Sequence, residues 1–252
     1  MARTRSRSAQ GAGSRTAAAL CAGLTAAVLA ACGGGAEERL VAGDPPEGWA
    51  ERIAADRATK DGEFRSDPET PILAADLPSF RGLEYWPPDP AYRFSGPILR
   101  YERPERFTIL STTGKPRPCE RYGRIRFEVR GRERALQIYR LLDVEEAPGD
   151  PGFFLPFTDE TTGRETYPSG RYVDIEGPPG GPYVVDFNRA YNPLCAYGAP
   201  ERYVCPVTPA ENRLRCRIEA GERGWRRHDG GTADGSGRQG RGESRGPSAV
   251  PY

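Results

Sequence analysis

The stretch that decides the fold is Tyr122-Gly123-Arg124-Ile125-Arg126-Phe127-Glu128-Val129. From Arg124 onward, charged and apolar side chains alternate. Successive side chains of a β-strand point to opposite faces of a sheet. The pattern therefore predicts a strand with one buried face and one solvated face.

Similar short segments lie on both sides of this strand, separated by turns rich in Pro and Gly. The candidate strands are residues 106–110, 135–142, 153–157, 171–175, 183–188 and 214–218. One helix is predicted over residues 47–60, between Pro45-Pro46 and Asp61-Gly62, with Trp49 and Ile53 on its apolar side. The predicted fold is mainly β, an antiparallel sandwich or a partly closed barrel with one N-terminal helix.

The N-terminus has the pattern of an export signal. Four arginines and no acidic residue occur in the first 15 positions, and residues 16–31 carry no charge. A basic start before a short apolar segment is typical of a secretory signal peptide, and this Ala-rich segment is short for a membrane span. Residues 1–31 are therefore predicted to be a signal peptide.

The predicted signal ends in Leu29-Ala30-Ala31-Cys32-Gly33, which resembles the lipobox of bacterial lipoproteins. The alternative is an ordinary signal peptide with a chance Cys at its cleavage site. Lipid on Cys32 would anchor the protein in a membrane, since two or more acyl chains attach a protein durably. Residues 32–46 are then a flexible tether, and the folded domain lies in the cell envelope, outside the cytoplasm.

Composition limits the partners and the number of domains. The formal net charge is +1 and no basic block is interleaved with aromatic residues, so nucleic acid is not an expected partner. Residues 47–223 are predicted to form a single mostly β domain. Residues 224–252 are rich in Gly, Arg and Ser without apolar periodicity, and are predicted to be a disordered tail.

The sequence excludes several chemistries. The single histidine, His228, lies in the predicted tail, so a His-dependent nucleophile or a His-containing zinc site has no ligand or base in the domain. The only Met is Met1, and no glycine-rich phosphate loop follows a strand. We expect no metal and no cofactor, although a zinc site of four Cys remains a formal alternative.

Several blocks of the chain together resemble a bacterial family described only as domain of unknown function 1684. The blocks include Phe80-Arg81-Gly82-Leu83-Glu84-Tyr85-Trp86-Pro87-Pro88-Asp89, Leu155-Pro156-Phe157-Thr158-Asp159, Asp186-Phe187-Asn188-Arg189-Ala190-Tyr191-Asn192-Pro193-Leu194-Cys195 and Ile218-Glu219-Ala220-Gly221-Glu222. The resemblance covers roughly residues 49–222. It implies no established activity, cofactor or substrate.

Four cysteines remain after Cys21 and Cys32 are set aside, and an even number in an exported chain favours disulfides. Cys195 and Cys205 lie in family-like blocks around a short loop, whereas Cys119 and Cys216 are departures from the family pattern. These features, with the strand parity that Cys119 shares with Ile125, predict the pairs Cys195–Cys205 and Cys119–Cys216. The parity argument assumes that no bulge lies between Cys119 and Ile125, and Gly123 is a place where one can form. Buried free thiols are the alternative.

The candidate binding residues are polar and aromatic side chains near the strongest family-like block. They are Asp186, Asn188, Tyr191 and Asn192, with Arg171, Tyr172, Glu211 and Asn212 as second candidates. Polar groups beside aromatic ones suit a sugar or another small ligand. The alternatives are that Asp and Asn cap their own turns and that Arg171 pairs with a structural carboxylate.

Three functions remain open. The leading hypothesis is a lipid-anchored envelope protein that binds a ligand. The second is a hydrolase of envelope or extracellular glycans that uses two carboxylates from among Asp159, Asp186, Glu211, Glu219 and Glu222. The third is a structural partner of another envelope protein.

Overall fold

A computed structural model describes residues 39–144, 152–198 and 202–225. Within these ranges one α-helix and nine strands form. They are α1 (Trp49–Ser66), β1 (Val41–Ala42), β2 (Arg93–Gly96), β3 (Leu99–Leu110), β4 (Pro116–Val129), β5 (Arg132–Leu141), β6 (Phe153–Phe157), β7 (Arg171–Val173), β8 (Ile175–Glu176) and β9 (Tyr183–Asp186). The strands pair antiparallel in two sheets, with orders β1-β2-β9-β8 and β3-β4-β5-β6-β7. The mainly β prediction is confirmed, and the described strands do not close into a barrel.

The apolar faces of the two sheets pack on one shared core. Ile125 and Phe127 of β4 have no exposed surface, as the alternating pattern predicts. Phe94 of β2 and Phe187, just after β9, belong to the other sheet; the Phe127 ring centroid lies 5.0 Å from Phe94 and 5.4 Å from Phe187. Burial of these rings supplies a large part of the core's hydrophobic stabilisation.

A bulge in β4 reverses the side on which Cys119 lies. The pairing of β4 with β5 shifts between Arg121 and Gly123. One extra residue in a strand moves the following side chains to the opposite face. Cys119 therefore packs with Ile109 and Tyr139 in a separate cluster, away from the face of Ile125.

This bulge removes the parity argument for one of the predicted disulfides. Cys216 packs against the shared core between the sheets, whereas Cys119 belongs to the cluster on the other face. Within the described residues all four cysteines, Cys119, Cys195, Cys205 and Cys216, are free thiols. The Cys119–Cys216 bond therefore stays a prediction without the strand parity that supported it.

Helix α1 continues six residues past its predicted end at Lys60. Asp61 lies inside the helix, and its side-chain Oδ1 accepts a hydrogen bond from the Leu83 N–H of a neighbouring loop at 2.9 Å. The helix ends at Ser66, before Asp67-Pro68, where the residue preceding proline is disfavoured in helical conformation. The extension adds the buried Phe64 to the packed side of the helix.

The predicted strand over residues 214–218 does not form. Leu214 and Ile218 are buried, but their backbone N–H groups bond to a turn after β6. The Leu214 N–H donates to Thr158 O at 2.8 Å, and the Ile218 N–H donates to the carboxylate of Asp159 at 2.7 Å. The Ile218 N–H is therefore satisfied by a side chain and not by a neighbouring strand. The segment is buried but irregular.

The packed domain extends beyond residues 47–223 at both ends. Leu40 is 1% exposed and Val41–Ala42 pair with β2, so the last part of the predicted tether is docked. Trp225 is buried against Phe80, with ring centroids 5.6 Å apart. The predicted signal peptide, Cys32 and the predicted tail from residue 226 lie outside the described residues. No helix of the described ranges has both the length and the apolar character needed to cross a bilayer.

Candidate functional site

One side of helix α1 carries two cations between apolar residues. Ile53, Arg57, Lys60 and Phe64 follow the i, i+4, i+7, i+11 spacing that places side chains on one face of a helix. The Arg57 guanidinium donates to Trp86 O at 2.9 Å and to Asn188 O at 3.1 Å. These bonds attach the helix to the turn that follows β9, and burial lowers the pKa of Arg57.

Lys60 forms an ion pair with a buried acid, Glu222. The Lys60 Nζ lies 2.7 Å from Glu222 Oε2, and the Glu222 side chain is 1% exposed. The other oxygen, Oε1, accepts hydrogen bonds from Asn192 Nδ2 at 2.8 Å and from the Tyr197 hydroxyl. Burial raises the pKa of Tyr197 well above its ordinary value and the charge of Glu222 adds to the shift, so this hydroxyl stays protonated and donates.

Gly221 explains how Glu222 reaches this position. Its φ is +77°, and a Cβ there would lie 2.6 Å from the carbonyl oxygens of both Phe187 and Ala190. The Glu222 N–H donates to Ala190 O at 2.8 Å. A residue without a side chain is therefore required for the backbone to come this close to the turn after β9.

Aromatic rings surround the ammonium group of Lys60. Its Nζ lies 5.2, 5.5 and 5.7 Å from the ring centroids of Phe64, Tyr191 and Tyr197 respectively. Contacts of a cation with ring faces at such distances are attractive. About a quarter of the side chain, 25%, is still exposed. Lys60 is thus held in one place while part of it remains accessible.

The exposed part of Lys60 lies in a cleft with two cavities, both of which Lys60 and Tyr191 line. The smaller, about 250 Å³, lies between α1 and the turn after β9 and includes Tyr85. The larger, about 860 Å³, is walled mainly by apolar and aromatic residues, among them Phe154, Tyr172 and Leu194. The larger volume is within the range of small-molecule sites in proteins, roughly 300–1,000 Å³.

Two buried polar atoms that border the cleft have no hydrogen-bond partner among the described residues. They are the Asn192 Oδ1 and the Tyr85 hydroxyl oxygen. Asn192 is 1% exposed and lines the larger cavity, and Tyr85 lines the smaller. An unsatisfied buried group costs about 1–3 kcal/mol, so these atoms mark places where a bound water or ligand would be stabilising.

Three of the sequence candidates, Tyr172, Tyr191 and Asn192, lie in the cleft wall. The backbones of Tyr172 and Tyr191 exchange hydrogen bonds of 2.9 Å in both directions, and the two rings meet edge to face with centroids 5.9 Å apart. The Tyr191 hydroxyl donates to Asp174 at 3.1 Å. These three candidates therefore border the cleft, and their part in binding stays a prediction.

Asp186 and Asn188 support the fold. Asp186 Oδ2 accepts from Trp49 Nε1 at 2.7 Å, and its Oδ1 accepts from the Asn188 N–H at 3.0 Å. The Asn188 side chain in turn bonds the backbone N–H and carbonyl of Asp89, each at 2.8 Å. Asp186 and Asn188 thus behave as the turn-capping alternative predicts, and their hydrogen bonds join three segments of the chain. Asn188 also borders the smaller cavity.

Arg171 is fully buried and serves the interior. Its guanidinium donates to the carbonyls of Ala220 at 2.6 Å and Ile218 at 2.9 Å, and lies 3.6 Å from Asp159. Burial lowers the pKa of Arg171 to about 10. Arg171 therefore pairs with a structural carboxylate, which is the alternative stated for this residue above.

Glu211 and Asn212 contact β5 and do not line the cleft cavities. Glu211 accepts from the Tyr139 hydroxyl at 2.5 Å and from Arg121 at 2.8 Å. The Asn212 side-chain amide accepts a hydrogen bond from the Gln137 N–H at 2.8 Å and donates one to the Gln137 carbonyl at 2.9 Å. Both residues fix the chain after β9 against the larger sheet.

The five acids considered for a hydrolase each have a separate partner. The pairs are Asp159 with Arg171 (3.6 Å), Asp186 with Trp49 (2.7 Å), Glu211 with Arg121 (2.8 Å), Glu219 with Arg130 (2.7 Å) and Glu222 with Lys60 (2.7 Å). Each of these carboxylates is thus engaged in a contact that stabilises the fold. Within the described ranges, no group of three or more His, Cys, Asp or Glu side chains is arranged to hold a metal ion.

Lys60, Arg57 and Tyr85 are not among the residues that the sequence predicts for the site, and Glu222 is predicted only as one of five acids. The signal was present in α1. The apolar stripe that begins at Trp49 and Ile53 continues through Arg57 and Lys60 to Phe64, so two cations occupy positions that face the domain. Cations on the packed face of a helix indicate a buried acid or polar partner.

Two antiparallel sheets and a helix that together enclose an aromatic cleft define a small two-sheet β protein with a ligand-sized site. Residues 78–223 match the family model described as "Protein of unknown function (DUF1684)", and the chain belongs to this family.

One solved structure with this fold is the solution NMR structure of an uncharacterised protein of Haloarcula marismortui. It is 33% identical in sequence, the match covers 70% of this chain and 95% of that chain, and the TM-score is 0.52. No curated protein matches the chain.

Proposed function

We propose that this is a lipid-anchored protein of the cell envelope whose β domain binds a small molecule in the cleft beside Lys60. The anchor rests on the basic N-terminus, the uncharged segment at residues 16–31 and the lipobox-like Leu29-Ala30-Ala31-Cys32. The observation that carries the binding function is Lys60. Its side chain is partly exposed and lines two adjoining cavities, and its ammonium group lies among three aromatic rings.

Charge at the cleft favours an uncharged ligand. Glu222 pairs with Lys60, and both Asp56 and Glu176 pair with Arg189 at the rim of the smaller cavity, so neither of these cations lacks a carboxylate. A ligand with a full negative charge would leave an excess of negative charge close to Glu222, which is costly in a desolvated site. A hydroxyl or carbonyl oxygen can accept from the Lys60 ammonium without that cost.

The walls favour a ligand with an apolar or ring-shaped body. Phe154, Tyr172 and Leu194 present apolar surface to the larger cavity. Such walls stabilise a ligand by removing apolar area from water, and a few polar groups fix its orientation. The proposed ligand class is therefore a small uncharged molecule with a ring or aliphatic body and a hydrogen-bond acceptor.

Ligand-observed NMR with matched probes tests this proposal. Benzyl alcohol and benzamide represent the proposed class, and benzoate and benzylamine are its charged counterparts. We expect the uncharged pair to bind and the charged pair to bind more weakly. A preference for benzoate would contradict the proposed ligand class.

Two variants at exposed positions test the location. Leu194 is 45% exposed and lines the larger cavity, whereas Val41 is 52% exposed and lies on β1. Leu194→Glu introduces charge into the cleft with little expected effect on folding, and should abolish binding. Val41→Glu is the matched control and should bind as the parent does. Equal binding by both variants would place the ligand elsewhere.

A further inference from the structure

Two cysteine thiols are in contact beside the larger cavity, which Cys205 lines. Cys195 and Cys205 are 3% and 8% exposed, and the Cys195 N–H donates to Cys205 Sγ at 3.4 Å. Cys195 belongs to the 3₁₀ turn Leu194–Tyr197, and Cys205 comes from the segment that returns past it. Both are free thiols in the structure.

The surroundings favour the thiolate of one member of the pair. The hydrogen bond from the Cys205 thiol, with a smaller contribution from Tyr167, lowers the pKa of Cys195 to about 7. The Tyr167 hydroxyl lies 3.6 Å from Cys195 Sγ. Because the thiolate is the nucleophile in disulfide exchange, Cys195 is the more reactive of the two.

The backbone around Cys205 is held by hydrogen bonds from three other segments of the chain. Thr112 N donates to Cys205 O at 2.8 Å, Arg117 donates to Val204 O at 2.8 Å, and the Tyr172 hydroxyl donates to Pro206 O at 2.5 Å. A disulfide requires specific separations and directions of its two residues. A segment that is fixed on both sides of Cys205 presents its thiol to Cys195 in a constant position.

We propose that Cys195 and Cys205 form an intramolecular disulfide that ties together two segments of the cleft wall. The oxidant is a small-molecule disulfide or the disulfide of a thiol oxidoreductase. The Cys195 thiolate attacks one of its sulfurs, which forms a mixed disulfide and releases one thiol. The Cys205 thiol loses its proton and attacks the Cys195 sulfur, so the second thiol leaves. Two electrons and two protons pass to the oxidant.

The remaining thiols of the domain serve as internal controls. Cys119 packs with Tyr139 in a separate cluster, and Cys216 packs against the core between the sheets. Neither belongs to the group formed by Cys195, Cys205 and Tyr167. The inference rests on the thiol geometry and does not depend on the proposed ligand.

Peptide mapping of the purified full chain tests the proposal. The protein is incubated with oxidised glutathione and the oxidant is removed. The chain is then unfolded in urea with iodoacetamide present, so that every free thiol is blocked, and the digest is analysed by mass spectrometry without reduction. We expect one linked species that joins the peptides of Cys195 and Cys205, with Cys119 and Cys216 blocked. Full blocking of all four residues, or a link to Cys119 or Cys216, would overturn the proposal.

Single cysteine variants give a second test that is independent of the peptide map of the parent. Cys119→Ser and Cys216→Ser should retain the linked species, and Cys205→Ser should lose it. The oxidised parent should melt several degrees above the reduced parent, because a cross-link restricts the unfolded chain. An oxidised Cys205→Ser protein that shows the same rise would assign the stabilisation to another bond and contradict the proposal.

Discussion

The indole N–H of Trp49, in the first turn of α1, donates a 2.7 Å hydrogen bond to the Asp186 carboxylate at the end of β9, 137 residues further along the chain. Both residues are buried. The second oxygen of Asp186 accepts from the backbone and side-chain amides of Asn188. One carboxylate therefore sets the helix and the turn after β9 relative to each other, and these two elements form the walls of the smaller cavity.

Asp186→Asn should destabilise the domain by about 1–3 kcal/mol, because an amide cannot accept hydrogen bonds at both of its ends. Its NH₂ group would face either the Trp49 indole or the Asn188 amide, both of which are donors. Urea unfolding measures the change. A variant of parental stability that no longer binds the ligand would instead place the charge of Asp186 in the binding site.

The Lys60–Glu222 pair should be costly to break from either side. Glu222→Gln would place an amide donor opposite the ammonium, and Lys60→Met would leave a buried carboxylate without its counter-charge. We expect a loss of roughly 1–3 kcal/mol for each, below the ~3–5 kcal/mol of a fully buried pair, since part of Lys60 is solvated.

The double variant Lys60→Met/Glu222→Gln should lose less stability than the sum of the single changes, as coupled partners do. The chain has only two lysines, and the exposed Lys115 supplies the matched control Lys115→Met. Strict additivity of the two single changes in urea unfolding would show that the pair is not coupled.

Trp225 should contribute to the stability of the domain, whereas the residues after it should not. The Trp225 ring packs near Phe80 and Tyr197, with centroids 5.6 and 6.4 Å away, so Trp225→Ala should cost about 3 kcal/mol. Removal of residues 226–252 should leave the melting temperature unchanged, because their composition offers little apolar area. A fall of several degrees on this truncation, measured by thermal unfolding, would show that the removed residues stabilise the domain.

Cys119 should react with iodoacetamide only at high pH. Burial raises the pKa of its thiol to about 11 from an ordinary value of 9.0. At pH 8 roughly one molecule in a thousand then carries the thiolate, against roughly one in ten for an ordinary thiol. The alkylation rate of the native protein should keep rising up to about pH 11; a plateau near pH 9 would contradict the shift.

Cys32→Ser should release the protein from membranes or leave it unprocessed, because the change removes the thiol that accepts the lipid. Fractionation of cells that express the parent and the variant measures the effect, with Cys21→Ser as the control within the signal segment. If the variant matures and sediments with membranes as the parent does, the lipid-anchor proposal fails.

Much of the fold was predictable because it depends on local patterns. The alternation at Ile125, Phe127 and Val129 predicted β4, and all three residues are buried. The bulge at Arg121–Gly123 was not predictable with certainty, since its position depends on pairing with β5. For that reason the strand was predicted correctly and the face of Cys119 was not.

Local sequence patterns are enough to predict the mainly β class, the one helix and the aromatic segment that contains Tyr191 and Asn192, because periodicity and turn residues act over a few positions. Tertiary contacts are needed to tell which polar residues stabilise the fold and which border a cleft. Lys60 and Glu222 are 162 residues apart, and their contact exists only after the helix has packed on the turn beyond β9. No local pattern specifies such a pair, because the free energy that holds it comes from burial of segments distant in the chain.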